Sequence, residues 1–326
     1  MSKHITRPLK LHCTSNLNGT HAADLSQKIR SFESSYNQHL AANKPWILRL
    51  DGSSFKNYTS HFQKPFDKRF TDSLVGTSAY LLERTNARLA FCQSDEISLV
   101  FAATEAINPD PFSQNSRMAI PILFNGRCQK IASVMSGMAS VKFNQLMQAA
   151  DWSNASQQAV QKVFHELAFF DARAFSVPDE QAAMEAIYWR HQYDCRRNAI
   201  HMVAYHHLGA KAIHHKSLQE MTDMLVEQKG IDVAKDIDPV FLYGTFLKKH
   251  EFPHTGFDPR LGKPVETTRQ KAQARVFMLP SMADDSGVIQ AERINSLTRM
   301  VMAKTWNEVD SSKDGNPISE YELTME

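Results

Sequence analysis

Cysteine is scarce in this chain of 326 residues, and its four cysteines are dispersed. Cys13, Cys92, Cys128 and Cys195 show none of the paired spacings of a zinc ribbon or a small disulfide framework. The sequence also lacks any apolar segment approaching about 18 residues, the length that a membrane span requires, and residues 1–30 lack the apolar stretch of a secretion signal. These absences predict a cytoplasmic protein without a membrane span.

Glycine and proline are also few, at 12 and 13 residues, whereas 42% of residues are apolar and 22% are charged. This composition excludes disordered, collagen-like and low-complexity chains, and it predicts a globular protein with one large or two modest domains. The formal net charge is only +2, which is too small for a protein that coats nucleic acid along its whole surface. Any polyanionic partner must therefore bind to local basic patches.

Changes of composition along the chain predict three regions. Residues 1–30 are polar and turn-forming and predict a flexible leader. Residues 31–250 carry the regular apolar patterns of a folded body. Beyond Pro253 the character changes, because residues 260–275 hold five basic side chains against one acid and residues 281–326 hold nine acids against four bases. We interpret residues 251–326 as a C-terminal extension, in which the basic stretch is either a solvated surface or an RNA-binding arm.

The apolar spacing predicts an α+β fold. Its elements are a strand before Asp51, a helix over 65–86, a hairpin of strands 88–92 and 97–101, a helix over 127–147 and a strand over 164–170. This order is that of a ferredoxin-like split βαβ fold, in which helices cover one face of an antiparallel sheet. A further long helix is predicted over 179–205.

Three acids are expected to meet at one edge of this sheet. Asp51 ends the first strand, and Asp95 and Glu96 lie at the tip of the hairpin. Crowded carboxylates repel one another, and two Mg²⁺ ions are the simplest compensation. Gly52 permits close backbone approach to a triphosphate. The alternative is a pair of ordinary turns, since Asp-Gly is a common turn dipeptide and hairpin tips are polar.

Five ordered motifs resemble those of the tRNA-His guanylyltransferase family. They are Arg49-Leu50-Asp51-Gly52, Lys64-Pro65-Phe66-Asp67, Gln93-Ser94-Asp95-Glu96, Phe170-Asp171-Ala172-Arg173 and Trp189-Arg190-His191-Gln192-Tyr193-Asp194-Cys195-Arg196-Arg197-Asn198. The match covers roughly residues 30–250, and the pair Gly244-Thr245 follows in the same order. The resemblance implies a polymerase-like palm that adds nucleotides to tRNA 5′ ends in the 3′-to-5′ direction.

The resemblance also implies roles for individual residues. Asp51, the Gly52 carbonyl and Asp95 would hold two Mg²⁺ ions, with Glu96 as a further catalytic acid. The implied nucleotide-binding residues are Asp51, Gly52, Ser53, Ser54, Phe55, Lys56, Lys64, Ser94, Asp95, Arg127 and Lys130. The last two share a helix face in the first turn of the predicted helix, where anions bind favourably.

One motif departs from the family pattern. Eukaryotic members carry His-Ile-Asn-Asn after Asp-Cys, whereas this chain has Arg196-Arg197-Asn198-Ala199. The sequence thus resembles the guanylyltransferase-like branch, whose members restore missing 5′ nucleotides by templating. The basic residues here predict contacts to tRNA phosphates by Arg190, Arg196, Arg197 and Asn198.

The family scheme implies that ATP activates a 5′-monophosphorylated tRNA before the 3′-hydroxyl of GTP or another NTP attacks it. By the same resemblance we expect a homotetramer. Two alternatives remain open from the sequence. One is another palm-type enzyme, such as a nucleotidyl cyclase, and the other is a non-catalytic tRNA-binding module.

Overall fold

The computed structural model describes residues 20–104, 122–311 and 322–323. The chain divides into two compact units, Met1–Gln38 and His39–Glu326. The first unit contains helix α1 (Thr20–Ser34). Most of the predicted leader, residues 1–19, lies outside the described part, and from Thr20 the chain is helical rather than loose.

The second unit is built on an antiparallel sheet of seven strands. These are β1 (Trp46–Ser53), β2 (Leu89–Gln93), β3 (Glu96–Phe101), β4 (Phe169–Ser176), β5 (Thr245–Asp258), β6 (Lys263–Phe277) and β7 (Glu322–Leu323). Their order across the sheet is β4-β1-β3-β2-β5-β6-β7. The first four strands have the ferredoxin-like order, which confirms the predicted α+β fold class.

Helices cover both faces of this sheet, and others pack together in a separate apolar cluster. They are α2 (Phe55–Tyr58), α3 (Lys68–Glu83), α4 (Cys128–Ala149), α5 (Gln157–His165), α6 (Glu180–Trp189), α7 (Arg196–Leu208), α8 (Ala210–Ile213), α9 (Leu218–Lys229), α10 (Val233–Asp236), α11 (Pro239–Tyr243), α12 (Ala291–Met302) and α13 (Trp306–Asp310). In the described residues no helix has the length and apolar character that crossing a membrane requires.

Alternation along the strands divides the core into two layers. Leu48, Leu50 and Leu99 are completely buried on the face that packs against α3 and α4. Ile47 and Val100 point to the opposite face and pack with apolar residues of α6 and α12. Neighbouring strand residues point to opposite faces, so the odd-numbered residues of β1 share the second face with α6.

Two predicted elements differ in the structure. The strand expected over 164–170 begins only at Phe169, because Ser156 caps helix α5 by accepting a hydrogen bond from the N–H of Ala159 at 3.1 Å. The buried side of β4 consists mainly of small residues. The apolar run before it therefore gave too early a start for the strand. The helix expected over 179–205 is confirmed as α6 and α7, joined by a π-helical turn, Arg190–Cys195, that the sequence did not predict.

The C-terminal region belongs to the same folded unit. The predicted boundary after residue 250 falls inside strand β5. The Lys248 ammonium on this strand is fully buried and donates to the carbonyls of Arg88, Val301 and Ala303 at 2.9, 2.9 and 2.7 Å. Residues 263–310 thus extend the sheet and its core, whereas residues 312–321 and 324–326 of the predicted extension lie outside the described part.

Candidate active site

The candidate acids lie where β1 ends and where the β2–β3 hairpin turns. Asp51 is opposite Glu96 in the antiparallel register of β1 and β3. The N–H of Gly52 donates to the carbonyl of Asp95 at 3.0 Å. The tip of the hairpin is therefore hydrogen-bonded to the end of β1, and the structure brings together the three acids that the sequence analysis singled out.

Gly52 allows an aromatic ring to pack against the end of β1. A Cβ atom at this position would lie 2.5 Å from the ring of Phe55, so any larger residue would displace that ring. Phe55 is 3% exposed and packs against Phe143 and Phe170, with ring centroids 5.5 and 5.0 Å away. We expected Phe55 to line a nucleotide pocket. Its side chain instead belongs to the core, and only its backbone is placed to contribute to the site.

Two serines beside the acids have left-handed backbone conformations. Ser54 has a φ of 58° and Ser94 a φ of 50°. Such conformations cost a non-glycine residue about 1–3 kcal/mol and cluster at functional sites. The side chains of both serines are exposed, as are those of Ser53 and Lys56. These four predicted nucleotide ligands are therefore accessible to a molecule that approaches the acids from solvent.

Asp51 and Asp95 have no basic ion-pair partner among the residues that the structure describes. Burial raises the pKa of the Asp95 carboxyl, and the negative charges of Asp51 and, more weakly, Asp194 raise it further. Two carboxylates that repel each other without a compensating cation are unfavourable in the folded protein. Since no described residue compensates them, a bound cation is the simplest compensation.

This pair of carboxylates fits a hard divalent cation. Mg²⁺ is usually held through one or two carboxylates, with water and substrate phosphates completing its coordination. Asp51, Asp95 and the intervening Gly52 carbonyl offer oxygen ligands of this type. Within residues 20–104 and 122–311 no group of three or more His, Cys, Asp or Glu side chains could hold a metal ion by itself. Binding of a cation here would therefore depend on ligands from water and substrate.

Glu96 differs from its neighbours because two guanidinium groups compensate it. Its Oε2 lies 3.1 Å from Arg190 and 3.7 Å from Arg49, and its Oε1 accepts a hydrogen bond from Ser98 at 3.2 Å. Burial raises the pKa of Glu96 to about 7, although both guanidinium groups act in the opposite direction. A carboxyl with this pKa changes its protonation state near neutral pH, as a general acid or base must.

The π-helical turn carries Arg190 to this acid. The Arg190 guanidinium also donates to Asp194 at 2.8 Å, one turn further along the helix. Asp194 is 5% exposed and forms a second ion pair, with Arg197. We predicted that Arg190 binds tRNA phosphates. The structure instead engages it with two buried carboxylates, which corrects that assignment.

The remaining predicted tRNA ligands lie on the first turn of α7. Arg196 and Arg197 are both exposed, but Arg197 is already paired with Asp194. Asn198 is half-buried and accepts a weak hydrogen bond from Arg197 at 3.5 Å. Arg196 therefore presents the more accessible positive charge to a phosphate backbone.

Lys64 lies in the segment between α2 and α3. Its ammonium donates to the carbonyl of Thr59 at 2.9 Å, and its side chain is exposed. Partial burial lowers the pKa of Lys64, and the charge of Asp67 opposes this effect. Asp67 caps α3 through a hydrogen bond from the N–H of Arg69 at 3.1 Å. The capped helix fixes the segment that presents Lys64 to solvent.

Arg127 and Lys130 lie at the first turn of α4, as predicted. Three successive residues before them, Phe124, Asn125 and Gly126, have φ angles of 49°, 55° and 74°. No side chain caps this helix, and Arg127 is its N-cap residue. Lys130 is exposed and lies 5.4 Å from the centre of the Phe124 ring. The N-terminal N–H groups of α4 and these two basic side chains are a favourable environment for an anion.

The sequence analysis gave no role to Arg49 or Asp194. Arg49 belongs to the same motif as Asp51, and a spacing of two residues places both on one face of β1. Asp194 follows Arg190 by four residues, a spacing that favours a helical ion pair. These two local signals were available in the sequence, whereas the approach of Arg190 to Glu96 depends on how the helix packs over the sheet.

Comparison with known proteins supports the same interpretation. A family model described as tRNAHis guanylyltransferase matches residues 26–178. An uncharacterised protein of Acanthamoeba polyphaga mimivirus is 32% identical over 230 residues, which are 69% of this chain and 77% of that protein.

Solved structures of bacterial tRNA(His) guanylyltransferase-like proteins have a similar fold. One, in complex with ATP, has 28% identity and a TM-score of 0.56 and covers 68% of this chain and 87% of its own. Another, in complex with GTP, has 23% identity and a TM-score of 0.54 and covers 85% of this chain and 99% of its own. The second likeness is one of fold alone.

The antiparallel palm, with carboxylates at the end of its first strand and at its hairpin tip, defines a nucleotidyltransferase of the palm type. Within that class, the chain belongs to the tRNAHis guanylyltransferase family. The resemblance inferred from the five motifs is thereby confirmed.

Proposed function

We propose that this enzyme adds nucleotides to the 5′ end of tRNA in the 3′-to-5′ direction. The observation that carries the proposal is the pair of uncompensated carboxylates, Asp51 and Asp95, joined through the hydrogen bond from Gly52. Family membership supplies the class of reaction and makes tRNA the expected acceptor. A related bacterial protein was solved with ATP, which supports a nucleoside triphosphate as the second substrate.

The residues at the end of β1 would bind the triphosphate. Asp51, Asp95 and the Gly52 carbonyl would hold two Mg²⁺ ions, which when bound neutralise phosphate charge and activate a hydroxyl nucleophile. The surrounding donors are exposed side chains or backbone groups: Gly52, Ser53, Ser54, Phe55, Lys56 and Ser94. Lys64, Arg127 and Lys130 would add positive charge along the polyphosphate. Held in this way, the reacting hydroxyl and the phosphorus atom are oriented for in-line attack.

Glu96 is proposed to accept the proton of the attacking hydroxyl. Its pKa of about 7 suits this role at neutral pH. Arg49 and Arg190 would position its carboxyl and stabilise its charge. Conversion of Glu96 to Gln should therefore lower kcat and remove an ionisation near neutrality from the pH profile, while the affinity for nucleotide changes little.

We further propose that the acceptor tRNA templates the added nucleotide, as in the guanylyltransferase-like branch. The departure from the His-Ile-Asn-Asn sequence supports this assignment. In the segment that replaces it, Arg197 forms an ion pair with Asp194. Arg196 and the basic residues of 260–275 would contact the RNA backbone in the cytoplasm. Pairing with the acceptor strand, rather than a base-reading pocket, would select the incoming base.

A 5′-extension assay tests the proposal. A tRNA transcript without its first nucleotide is incubated with ATP, Mg²⁺ and each labelled NTP, with either a 5′-monophosphate or a 5′-triphosphate end. Extension by the NTP complementary to the opposite base is expected, and a changed opposite base should change the preferred NTP. The Asp95→Asn variant should be inactive. Asp223→Asn, which replaces an exposed carboxylate of α9, is the matched control and should retain full activity.

The assay also separates the alternatives. Release of pyrophosphate from NTP without RNA would identify a cyclase-type enzyme and contradict the proposal. Binding of tRNA with no extension at either 5′ end would identify a non-catalytic module. Addition of GTP alone, whatever the opposite base, would preserve the enzyme class but refute templating.

A further inference from the structure

A pocket opens on the face of the sheet that α6 covers. It has a volume of about 210 Å³ and lies between β1, β4 and α6, with Ile47 and Ile187 among its apolar lining residues. Pockets that enclose a whole drug-sized ligand measure about 300–1,000 Å³. This smaller pocket therefore suits a single flat ring system, and the rest of a ligand would lie at its rim.

Two aromatic side chains at this pocket are accessible to solvent. Trp189 is the last residue of α6 and is 46% exposed, and Phe175 on β4 is 40% exposed. The Arg190 guanidinium, which also lines the pocket, lies 4.9 Å from the centre of the Trp189 ring. Unstacked nucleobases stack on aromatic rings and guanidinium planes in proteins that bind single-stranded nucleic acid. The pocket offers both kinds of surface.

Two like charges face each other across the strands beside these rings. Arg49 lines the pocket and lies directly opposite Arg173 in the register of β1 and β4. Residues opposite each other have Cβ atoms roughly 4.5–5.5 Å apart, and like charges there are destabilising. Glu96 compensates Arg49, whereas Arg173 is exposed and has no ion-pair partner in the described part of the chain. A phosphate at the rim of the pocket would compensate Arg173.

We propose that this pocket binds one unstacked nucleotide, either free or in a single-stranded segment of RNA. Its base would stack on Trp189 and Phe175, and its phosphate would contact Arg173. Arg49 precedes Asp51 by two residues, or roughly 7 Å along β1 at about 3.3 Å per residue, so this nucleotide would lie beside the acidic edge. The proposal goes beyond the proposed function, because neither the acids nor a cation takes part in the contact.

Tryptophan fluorescence provides the first test. The three other tryptophans, Trp46, Trp152 and Trp306, are at most 6% exposed, so quenching by a ligand in solution reports mainly on Trp189. The full chain is titrated in EDTA, which excludes cation-dependent binding at the acids, with AMP and with single-stranded tetra-adenylate RNA. Saturable quenching is expected. Quenching by AMP alone would assign the pocket to a free nucleotide, and quenching by the RNA alone would assign it to an RNA strand. If neither quenches, the proposal is wrong.

Substitutions test which groups make the contact. The affinity for fluorescently labelled AMP or tetra-adenylate, whichever quenches, is measured by anisotropy. Trp189→Ala should weaken binding on the order of tenfold, the typical loss for one stacked base. Phe164→Ala removes an aromatic ring of α5 that is likewise 46% exposed, so it is the matched control and should leave the affinity unchanged.

The phosphate contact has its own pair of variants. Arg173→Gln should weaken binding and make the affinity less dependent on salt, because one phosphate contact is lost. Arg84→Gln replaces an exposed guanidinium just after α3 and should change neither quantity. In the free protein Arg173→Gln should not lower Tm, because it removes a like charge opposite Arg49. Normal affinity in either Trp189→Ala or Arg173→Gln would overturn the proposal.

Two controls keep this result apart from the extension assay. Asp95→Asn, which should be inactive in extension, should bind both ligands in EDTA as the original chain does. Loss of quenching in a chain that still extends RNA would refute the pocket alone, whereas quenching without extension would refute only the proposed function. Fluorescence that depends on protein concentration and not on nucleotide would show that the two rings contact another copy of the chain, which would also overturn the proposal.

Discussion

Conversion of Asp95 to Asn should stabilise the cation-free protein. Asp95 is a partly buried carboxylate next to Asp51, and no basic group compensates it. Relief of the burial cost and of the repulsion by Asp51 should therefore raise the free energy of unfolding. The expected result is a higher Tm than that of the original chain in EDTA. A residue that helps catalysis would thus cost stability.

The same substitution should abolish stabilisation by Mg²⁺. A cation at about ten times its Kd stabilises the folded protein by RT ln 11, or about 1.4 kcal/mol. The original chain should show this shift between EDTA and Mg²⁺, and Asp95→Asn should lose most of it. Differential scanning fluorimetry in both buffers measures all four Tm values.

Glu96 provides a matched control at the adjacent position. It lies on the same hairpin, but Arg49 and Arg190 compensate its charge. Because the pKa of Glu96 is raised to about 7, its ionised form costs folding free energy at about pH 8, so Glu96→Gln should not lower Tm in EDTA. Its Mg²⁺ shift should remain. If Asp95→Asn lowers Tm in EDTA, or responds to Mg²⁺ as the original chain does, the distinction between compensated and uncompensated acids is wrong.

Two further predictions concern buried polar groups of the core. His191 is fully buried, its Nε2–H donates a hydrogen bond to the Phe277 carbonyl at 3.1 Å, and burial lowers its pKa to about 4. Below about pH 6.5 the unfolded state binds a proton at His191 that the folded state does not bind. The free energy of unfolding should therefore decrease by about 2 kcal/mol when the pH is lowered from 7 to 5. His191→Gln should remove this contribution in urea unfolding curves at the two pH values. A Lys248→Met variant leaves three buried or partly buried carbonyls without their donor, so it should cost roughly 3 kcal/mol and speed hydrogen exchange in α12. Unchanged exchange in α12 would show that Lys248 does not hold that helix.

The sequence predicts most of the palm because its signals are local. The alternation before Asp51, the turn-forming hairpin tip and the helical spacing after Arg127 each act within a few residues, and all agree with one topology. The start of β4 was misplaced because its buried side uses Ala172 and Ala174. Small residues give little periodic hydrophobic signal, whereas the apolar run before them belongs partly to the end of α5.

The sequence predicts which acids form the site, but it does not predict which of them form ion pairs with arginines. Motif order identified Asp51, Asp95 and Glu96 together, yet it gave no means to tell which acids the protein compensates itself. That distinction arises where a π-helical turn carries Arg190 back onto the sheet, a tertiary event that no local pattern encodes. This contact separates Glu96, which has arginine partners, from Asp51 and Asp95, which have none in the described part of the chain.

The acids at this edge of the sheet therefore differ in the chemistry that they can perform. Arg49 and Arg190 hold the Glu96 carboxyl in this structure, and its pKa near neutrality suits it to exchange a proton there. Asp95 has no basic partner in the described part of the chain, so under the proposed function the cost of its buried charge would be offset when a cation and a triphosphate bind. An edge built in this way favours cation binding in the presence of substrate, because the protein alone supplies too few ligands.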